Sequence, residues 1–489
     1  MRDAGFKRAL TAAPWAALDA LTTALFGVLF LFIVGLFVGP TDLGLASSAL
    51  AFVLLVEAFT SAGMQDVVIR LPSADTRQTD AAYCVVMGLS IVGMPMIWIA
   101  AWVYGWAVNE PRLFPLAAFA SLMLPLNAAA VVPTAMLIRK MRGPQLLFRP
   151  IAGKVLGVVG MVALAWAGTH AYAVVAGSVF TSLGGALALR VTATRWPRLR
   201  WDRRVAGTHL RFGMFSGADN LFWLISLRLL TLSFASVFGM RALGFLQLAM
   251  RLVEEVSRLL QSIMMRYALA LFASYRRLSG GDGRAETGRG LLLATRLMNA
   301  LGVPTFAGVA VIGDLLVRIL FGARWDESIF YVQVLATGTL LIFARLLVSP
   351  ALKAIGRPGR VAQAATVNFV VALAVIAAGA FVDARTLITL WATRELFSLA
   401  VWYWMAHSEF DLRYRDLARA LTPSWTSGAL MAAVLLLVRR ALPVDHAVLD
   451  LVALVTTGAL VYGTALFAWE RERITEYLFE FRGRAADHG

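Results

Sequence analysis

Cysteine is nearly absent: Cys84 stands alone in 489 residues. An internal disulfide framework and a thiolate metal site are therefore excluded. Histidine is scarce as well. His170, His209, His407, His446 and His488 are scattered, and no H-E-x-x-H occurs, so the usual zinc-hydrolase arrangement is missing. Charge is thin, with Asp, Glu, Lys and Arg making up 15% of the chain, where a soluble domain carries about 25%. Long polar segments are missing too. The two largest, Arg190–Arg211 and the Gly-rich Ser274–Gly288, are too short for a soluble catalytic domain.

What fills the chain is apolar sequence. Hydrophobic residues reach 60% and mean hydropathy is +0.74. They fall in runs of about 20 or more, the length that crosses a bilayer core as a helix. About fourteen spans are expected: 10–38, 42–65, 81–106, 113–137, 146–168, 171–190, 210–237, 241–272, 290–317, 328–352, 361–382, 386–407, 421–439 and 446–469. Only helix suits them. An open strand leaves backbone groups unpaired in lipid, and the runs lack the alternation of a membrane barrel. Pro40, Pro111, Pro197, Pro358 and Pro443 fall in the connections, where a missing N–H costs little. The basic start M-R-D-A-G-F-K-R is followed by an apolar run too long for a signal peptide, so it is read as leading into an uncleaved first span.

The net charge of +16 would suggest nucleic acid in a soluble protein. Here the basic residues lie between apolar runs and set orientation instead. They crowd one set of connections, above all 138–154, 190–211 and 273–296. The opposite set carries only Arg112, Arg241, Arg318, Arg324, Arg385, Arg439 and Arg440. The positive-inside rule then predicts both termini on the cytoplasmic side. In the connection R-W-P-R-L-R-W-D-R-R, Trp196 and Trp201 among arginines suit a segment lying on lipid headgroups rather than on nucleic acid.

The chain repeats itself at an offset of 200. The hinge F-V-G-P-T-D-L-G at 37–44 aligns with V-F-G-M-R-A-L-G at 237–244. The register holds at Leu10/Leu210, Asp19/Asp219, Leu21/Leu221, Leu29/Leu229, Gly39/Gly239, Leu43/Leu243, Gly44/Gly244, Ala49/Ala249, Val53/Val253, Val56/Val256 and Met64/Met264. A second echo pairs V-V-P-T-A-M-L-I-R-K-M-R-G (131–143) with V-S-P-A-L-K-A-I-G-R-P-G-R (348–360), each a Pro followed by a basic turn. Both echoes imply a six-span unit, duplicated. The expected division is a first lobe at 1–190 (spans 1–6), a basic linker at 191–209, a second lobe at 210–407 (spans 7–12), and spans 13 and 14 with a cytoplasmic tail at 408–489. A duplicated helical unit suggests a transporter with its site between the halves.

Four motifs then carry a resemblance. G-P-T-D-L-G-L-A at the first hinge, L-G-F-L-Q-L-A-M-R-L at 243–252, I-L-F-G-A-R-W at 319–325 and A-I-G-R-P at 354–358 fall in order at the matching spans. Over roughly residues 10–405 the chain resembles the polysaccharide-transporter branch, the oligosaccharide flippases, of the multidrug/oligosaccharidyl-lipid/polysaccharide flippase superfamily. The resemblance implies two six-helix lobes around a central cavity, alternating access, and polyprenyl-pyrophosphate-linked oligosaccharide as substrate. It implies no enzyme and no cofactor. The partners would be that lipid-linked oligosaccharide, membrane lipids, and the polymerase and glycosyltransferases of the same assembly.

Ionisable residues at bilayer depth are costly and mark function by default. The candidates for holding a pyrophosphate are Arg228, Arg251, Arg258, Arg345 and Lys154; those for gating or coupling are Asp19, Asp219, Glu57, Glu254 and Glu255. Arg251, Glu254, Glu255 and Arg258 recur at spacings of three and four and share one helix face. That face binds a charged ligand, or its members neutralise one another. Arg228 has no opposite charge within four residues. A guanidinium there matches phosphate oxygens through paired N–H bonds, or it forms an interhelical ion pair with Glu57 or Glu254. Arg345 and Lys154 could instead reach the cytoplasmic interface, and Asp19 and Asp219 could cap helix breaks. Arg394 and Glu395 are left outside the site.

Three other readings stay open. A drug or cation antiporter of the same superfamily would favour acidic cavity residues and twelve spans. A flippase for the peptidoglycan lipid precursor also has fourteen, but its loops lack these motifs. A membrane-embedded polymerase or glycosyltransferase would need an Asp cluster or a large polar loop.

Overall fold

The computed structural model describes residues 22, 25–27, 29–61, 64–70, 76–140, 143–193, 195–200, 218–278, 284–441 and 447–486, and the statements below concern these. Side chains of Asp219, of 262–278 and of 472–486 lie outside that description, as does Asp19 altogether. Among the described residues the regular structure is helical. The helices are α1 (Leu25–Phe37), α2 (Pro40–Ser61), α3 (Met64–Arg70), α4 (Thr76–Ala107), α5 (Leu113–Ala120), α6 (Met123–Arg139), α7 (Gly143–Trp166) and α8 (His170–Thr192). They continue as α9 (Ala218–Leu278), α10 (Arg284–Phe321), α11 (Ser328–Arg345), α12 (Val348–Ala354), α13 (Pro358–Ala378), α14 (Ala384–Phe410), α15 (Tyr414–Ala441) and α16 (Ala447–Ala486). The chain is thus an all-α polytopic membrane protein, as the apolar runs predict.

Eleven segments of the described residues are long and apolar enough to cross a membrane. One of them, Asn220–Gln261, holds two of the expected spans, because α9 bends at Gly239 (φ 84°, ψ 166°). Only glycine takes that backbone readily. α14 is 27 residues long but falls outside the eleven, because Arg394 and Glu395 lower its hydropathy. The first expected span is described only as α1, which is short.

The chain divides into two compact units, Met1–Glu255 with Ala365–Leu387, and Val256–Ala364 with Ile388–Gly489. In the first, α3, α4 and α6 build a core from Met64, Val68, Tyr83, Val86, Ala128 and Val132. Lipid offers no hydrophobic drive between helices, so close backbone approach and polar contacts must supply it. α7 and α8 show this: a Cβ on Gly184 would lie 2.7 Å from the carbonyl oxygen of Ala152, and one on Gly153 2.7 Å from that of Thr181.

The hinge end of this unit carries the repeat into three dimensions. A Cβ on Gly44 would overlap the carbonyl oxygen of Met240, and one on Gly244 would overlap that of Pro40. Positions 40 and 240, like 44 and 244, are related by the offset of 200. The two hinges therefore touch reciprocally, as a pseudo-two-fold pair does. Ser48 Oγ donates to Met240 Sδ at 3.4 Å beside them, and Tyr104 Oη donates to the Leu232 carbonyl at 2.5 Å.

In the second unit, α10 is fastened to α15 and α16 by polar contacts along its length. Arg439 meets Asp314 at 2.5 Å, Trp425 Nε1 donates to Asn299 Oδ1 at 3.2 Å, Tyr462 Oη donates to the Ala300 carbonyl at 3.0 Å, and Arg296 pairs with Glu470. Two quoted motifs are turns here. Gly322 (φ 80°) opens the short 3₁₀ turn Ala323–Trp325, which seats the fully buried Trp325. Gly356 (φ 77°) turns the chain so that Arg357 and Arg360 reach Glu409, Arg360 at 2.8 Å.

Candidate functional site

The bend at Gly239 sets the geometry of the charged residues. Thr231 and Gln247 lie eight residues to either side of it, and Gln247 Nε2 donates to Thr231 Oγ1 at 3.1 Å. The two limbs of α9 therefore run alongside each other. Arg228 lies eleven residues before the bend and Arg251 twelve after it, so both sit at about 16–18 Å of helix from the hinge, well inside a hydrocarbon core.

Arg228 is half-buried, and its electrostatic partner is Glu254 of the other limb. The Nε of Arg228 is buried without a hydrogen-bond partner among the described residues. Burying a guanidinium N–H unpaired is costly. Arg251 stacks its guanidinium over the Phe30 ring of α1, 4.5 Å from the centroid. Glu255 places its carboxylate against Gly27, one turn along α1. Arg228, Arg251, Glu254 and Glu255, all on the two limbs of α9, are thus brought to one region of the first unit, against Gly27 and Phe30 of α1.

Glu57 stands in a separate place. Asn127 Nδ2 of α6 donates to its Oε1 at 2.9 Å, and Arg149 of α7 is an opposite charge acting on it. Arg149 spends its Nη1 on Thr134 Oγ1 at 3.1 Å. Sequence reasoning missed Arg149 and Asn127. Arg149 was assigned to the basic connection 138–154, although L-L-F-R-P continues into an apolar run, and Asn127 is the one amide inside the run 113–137. Lys154 is half-buried on α7.

Arg345 lies in the second unit, in a cluster the sequence left aside. Its Nη2 meets Glu395 at 2.6 Å; Arg394 meets the other oxygen of the same carboxylate at 3.1 Å and stacks over Trp391. Arg258 is exposed on α9, in the portion belonging to the second unit. Asp19 and the side chain of Asp219 lie outside the described residues. Among the described residues no group of three or more His, Cys, Asp or Glu could hold a metal ion.

Solved structures share this helical fold. One is a lipid II flippase, MurJ, in an inward closed conformation: TM-score 0.73, 11% identity, 94% of this chain and 99% of that one. Another is a multidrug resistance transporter of the MATE family, inward-facing: TM-score 0.63, 16% identity, 81% and 98%. The multidrug transporter DinF-BH gives 0.59, 14%, 83% and 97%. The chain shares its fold with these proteins.

The sequence narrows this further. The family described as polysaccharide biosynthesis protein matches residues 33–330, and the chain belongs to it. It is also similar to the lipopolysaccharide biosynthesis protein WzxC of Escherichia coli (strain K12), 22% identical over 346 residues, 68% of either chain.

Proposed function

We propose that this protein flips a polyprenyl-pyrophosphate-linked oligosaccharide from the cytoplasmic to the outer leaflet of the bacterial inner membrane, for assembly of a surface polysaccharide. The polymer would be O-antigen, capsule or exopolysaccharide. Both termini face the cytoplasm in this reading, and the lobes 1–190 and 210–407 rock against each other. The polymerase and glycosyltransferases of the same assembly are its working partners.

One observation carries the reading: Arg228. Its guanidinium lies deep in the membrane segment, balanced only in part by Glu254, with a buried Nε left unpaired. A pyrophosphate at the lipid–sugar junction supplies oxygens for those N–H groups while its charge crosses a core about 30 Å thick. Arg251 follows on the next span and Lys154 is a further candidate cation of the same unit; Arg258, in the second unit, is a candidate by itself. Membership in a polysaccharide biosynthesis family supports a saccharide-bearing substrate.

The experiment is replacement in a strain whose polymer export depends on this chain. Arg228→Ala and Arg258→Ala each leave abundance near normal and block export, with lipid-linked oligosaccharide accumulating on the cytoplasmic leaflet. Arg228→Lys keeps part of the activity, since charge survives without the paired hydrogen bonds. Full activity of both alanine variants sinks the assignment.

A further inference from the structure

α1 and the second limb of α9 meet through two contacts that share a register. Gly27 and Phe30 are three residues apart on α1. Glu255 and Arg251 are four apart on α9. Each pair occupies one helix face. Gly27 meets Glu255 and Phe30 meets Arg251, so rising along α1 corresponds to falling along α9. Two antiparallel faces are matched over one full turn.

The contact at Gly27 is the tighter. A Cβ there would fall onto the carboxylate of Glu255, overlapping its Cδ and Oε2 and standing 3.0 Å from Oε1. The carboxylate therefore occupies the volume that any side chain at position 27 would fill. No positive φ demands glycine at this position, and a glycine inside a helix is less favourable than alanine. Seating Glu255 is the feature that accounts for it.

We propose that Gly27 is a positioning residue for transport: its missing side chain seats the Glu255 carboxylate, and with it Arg251, against the first span, latching the two repeats together. The latch lies about 18 Å along α1 from the Gly39 hinge, whereas the reciprocal contacts of Gly44 and Gly244 lie at the hinge itself. The second limb of α9 takes part at both places, with α1 at the latch and α2 at the hinge. Closure at the hinge and seating of the latch are two ends of one arrangement, so losing either shifts the population away from it. This inference rests on the transport reading above.

The test reads conformation without substrate. Ser48→Cys with Met240→Cys, in a Cys84→Ser background, forms a disulfide across the hinge contact, where the native side chains meet at 3.4 Å. Adding Gly27→Ala lowers the crosslink yield about fivefold or more, and adding Glu255→Asp, one methylene shorter, restores it. In the export assay Gly27→Ala loses about tenfold or more, and Gly27→Ala with Glu255→Asp recovers. If Gly27→Ala fails to accumulate, recovery of both abundance and crosslink in the double variant supports the seat. An unchanged crosslink in Gly27→Ala, or a loss that Glu255→Asp does not repair, overturns it. A crosslink that falls and recovers while no polysaccharide export depends on the chain keeps the seat and removes the substrate reading instead.

Discussion

The charged side chains do two different jobs, and their neighbours tell which. Arg345 and Arg394 share the carboxylate of Glu395, which is 4% exposed. That triad holds α11 to α14. Removing the central carboxylate strands two guanidinium groups, a loss of about 3–5 kcal/mol for a buried pair. Glu395→Gln is therefore expected to deplete the protein from the membrane, read by immunoblot, whereas Arg228→Ala spares abundance and removes export. An equal abundance of the two variants would contradict that division. Asp383 shows a milder effect outside the membrane. It caps α14, accepting from the N–H groups of Arg385 and Thr386 and from the Thr386 hydroxyl. The Thr386 hydroxyl, with these amides, holds the carboxyl below its usual 3.8. A depressed folded value adds stability above pH 3.8, lost as pH falls through the folded value. Asp383→Asn should thus melt earlier than the parent at pH 7, and the gap should close in acid below pH 3.8. A gap that persists there would mean the loss is not one of ionisation.

Among the elements, the hinges hold the most specific information. Eleven identities between 10–64 and 210–264 argue for duplication, yet they do not say that the duplicates touch. The reciprocal overlap of Gly44 with Met240 and Gly244 with Pro40 does. Because backbone atoms are involved, nothing can rotate away. Gly44→Ala and Gly244→Ala should each cost about 1–3 kcal/mol of overpacking, seen as earlier melting in detergent, and the two should act alike because the sites are related. A strong effect of one beside none of the other would break the symmetry argument. Polar fastening plays the matching part for α15 and α16. The sequence offered no motif for these last two spans, because Asp314, Asn299, Trp425 and Arg439 acquire meaning only when α10 lies beside them.

For the whole molecule, the testable quantity is orientation. Reporter fusions after Gly39, Glu110, His170, Gly239 and Asp383 should read as exterior. Fusions after Gly143, Arg200, Gly281 and Gly359 should read as cytoplasmic. One inverted neighbouring pair would reveal a span added or missed. The family match is also at this scale: residues 33–330 take in most of the 1–255 segment of the first unit and enter the second.

The sequence by itself determined the helical membrane class, most of the spans and the family, and it pointed to a duplication. Those follow from composition and spacing, since lipid leaves helix as the only way to pair the backbone of a long apolar run. Hinge glycines were legible for the same local reason, as Gly239 and Gly322 are needed by the backbone itself. Only the tertiary structure decided which charge meets which. Glu57 finds Asn127 seventy residues away, Arg345 finds Glu395 fifty away, and Glu255 finds the notch at Gly27 on the other repeat. Periodicity places a side chain on a face, but the partner of that face is fixed by helix packing, which one helix's sequence does not encode.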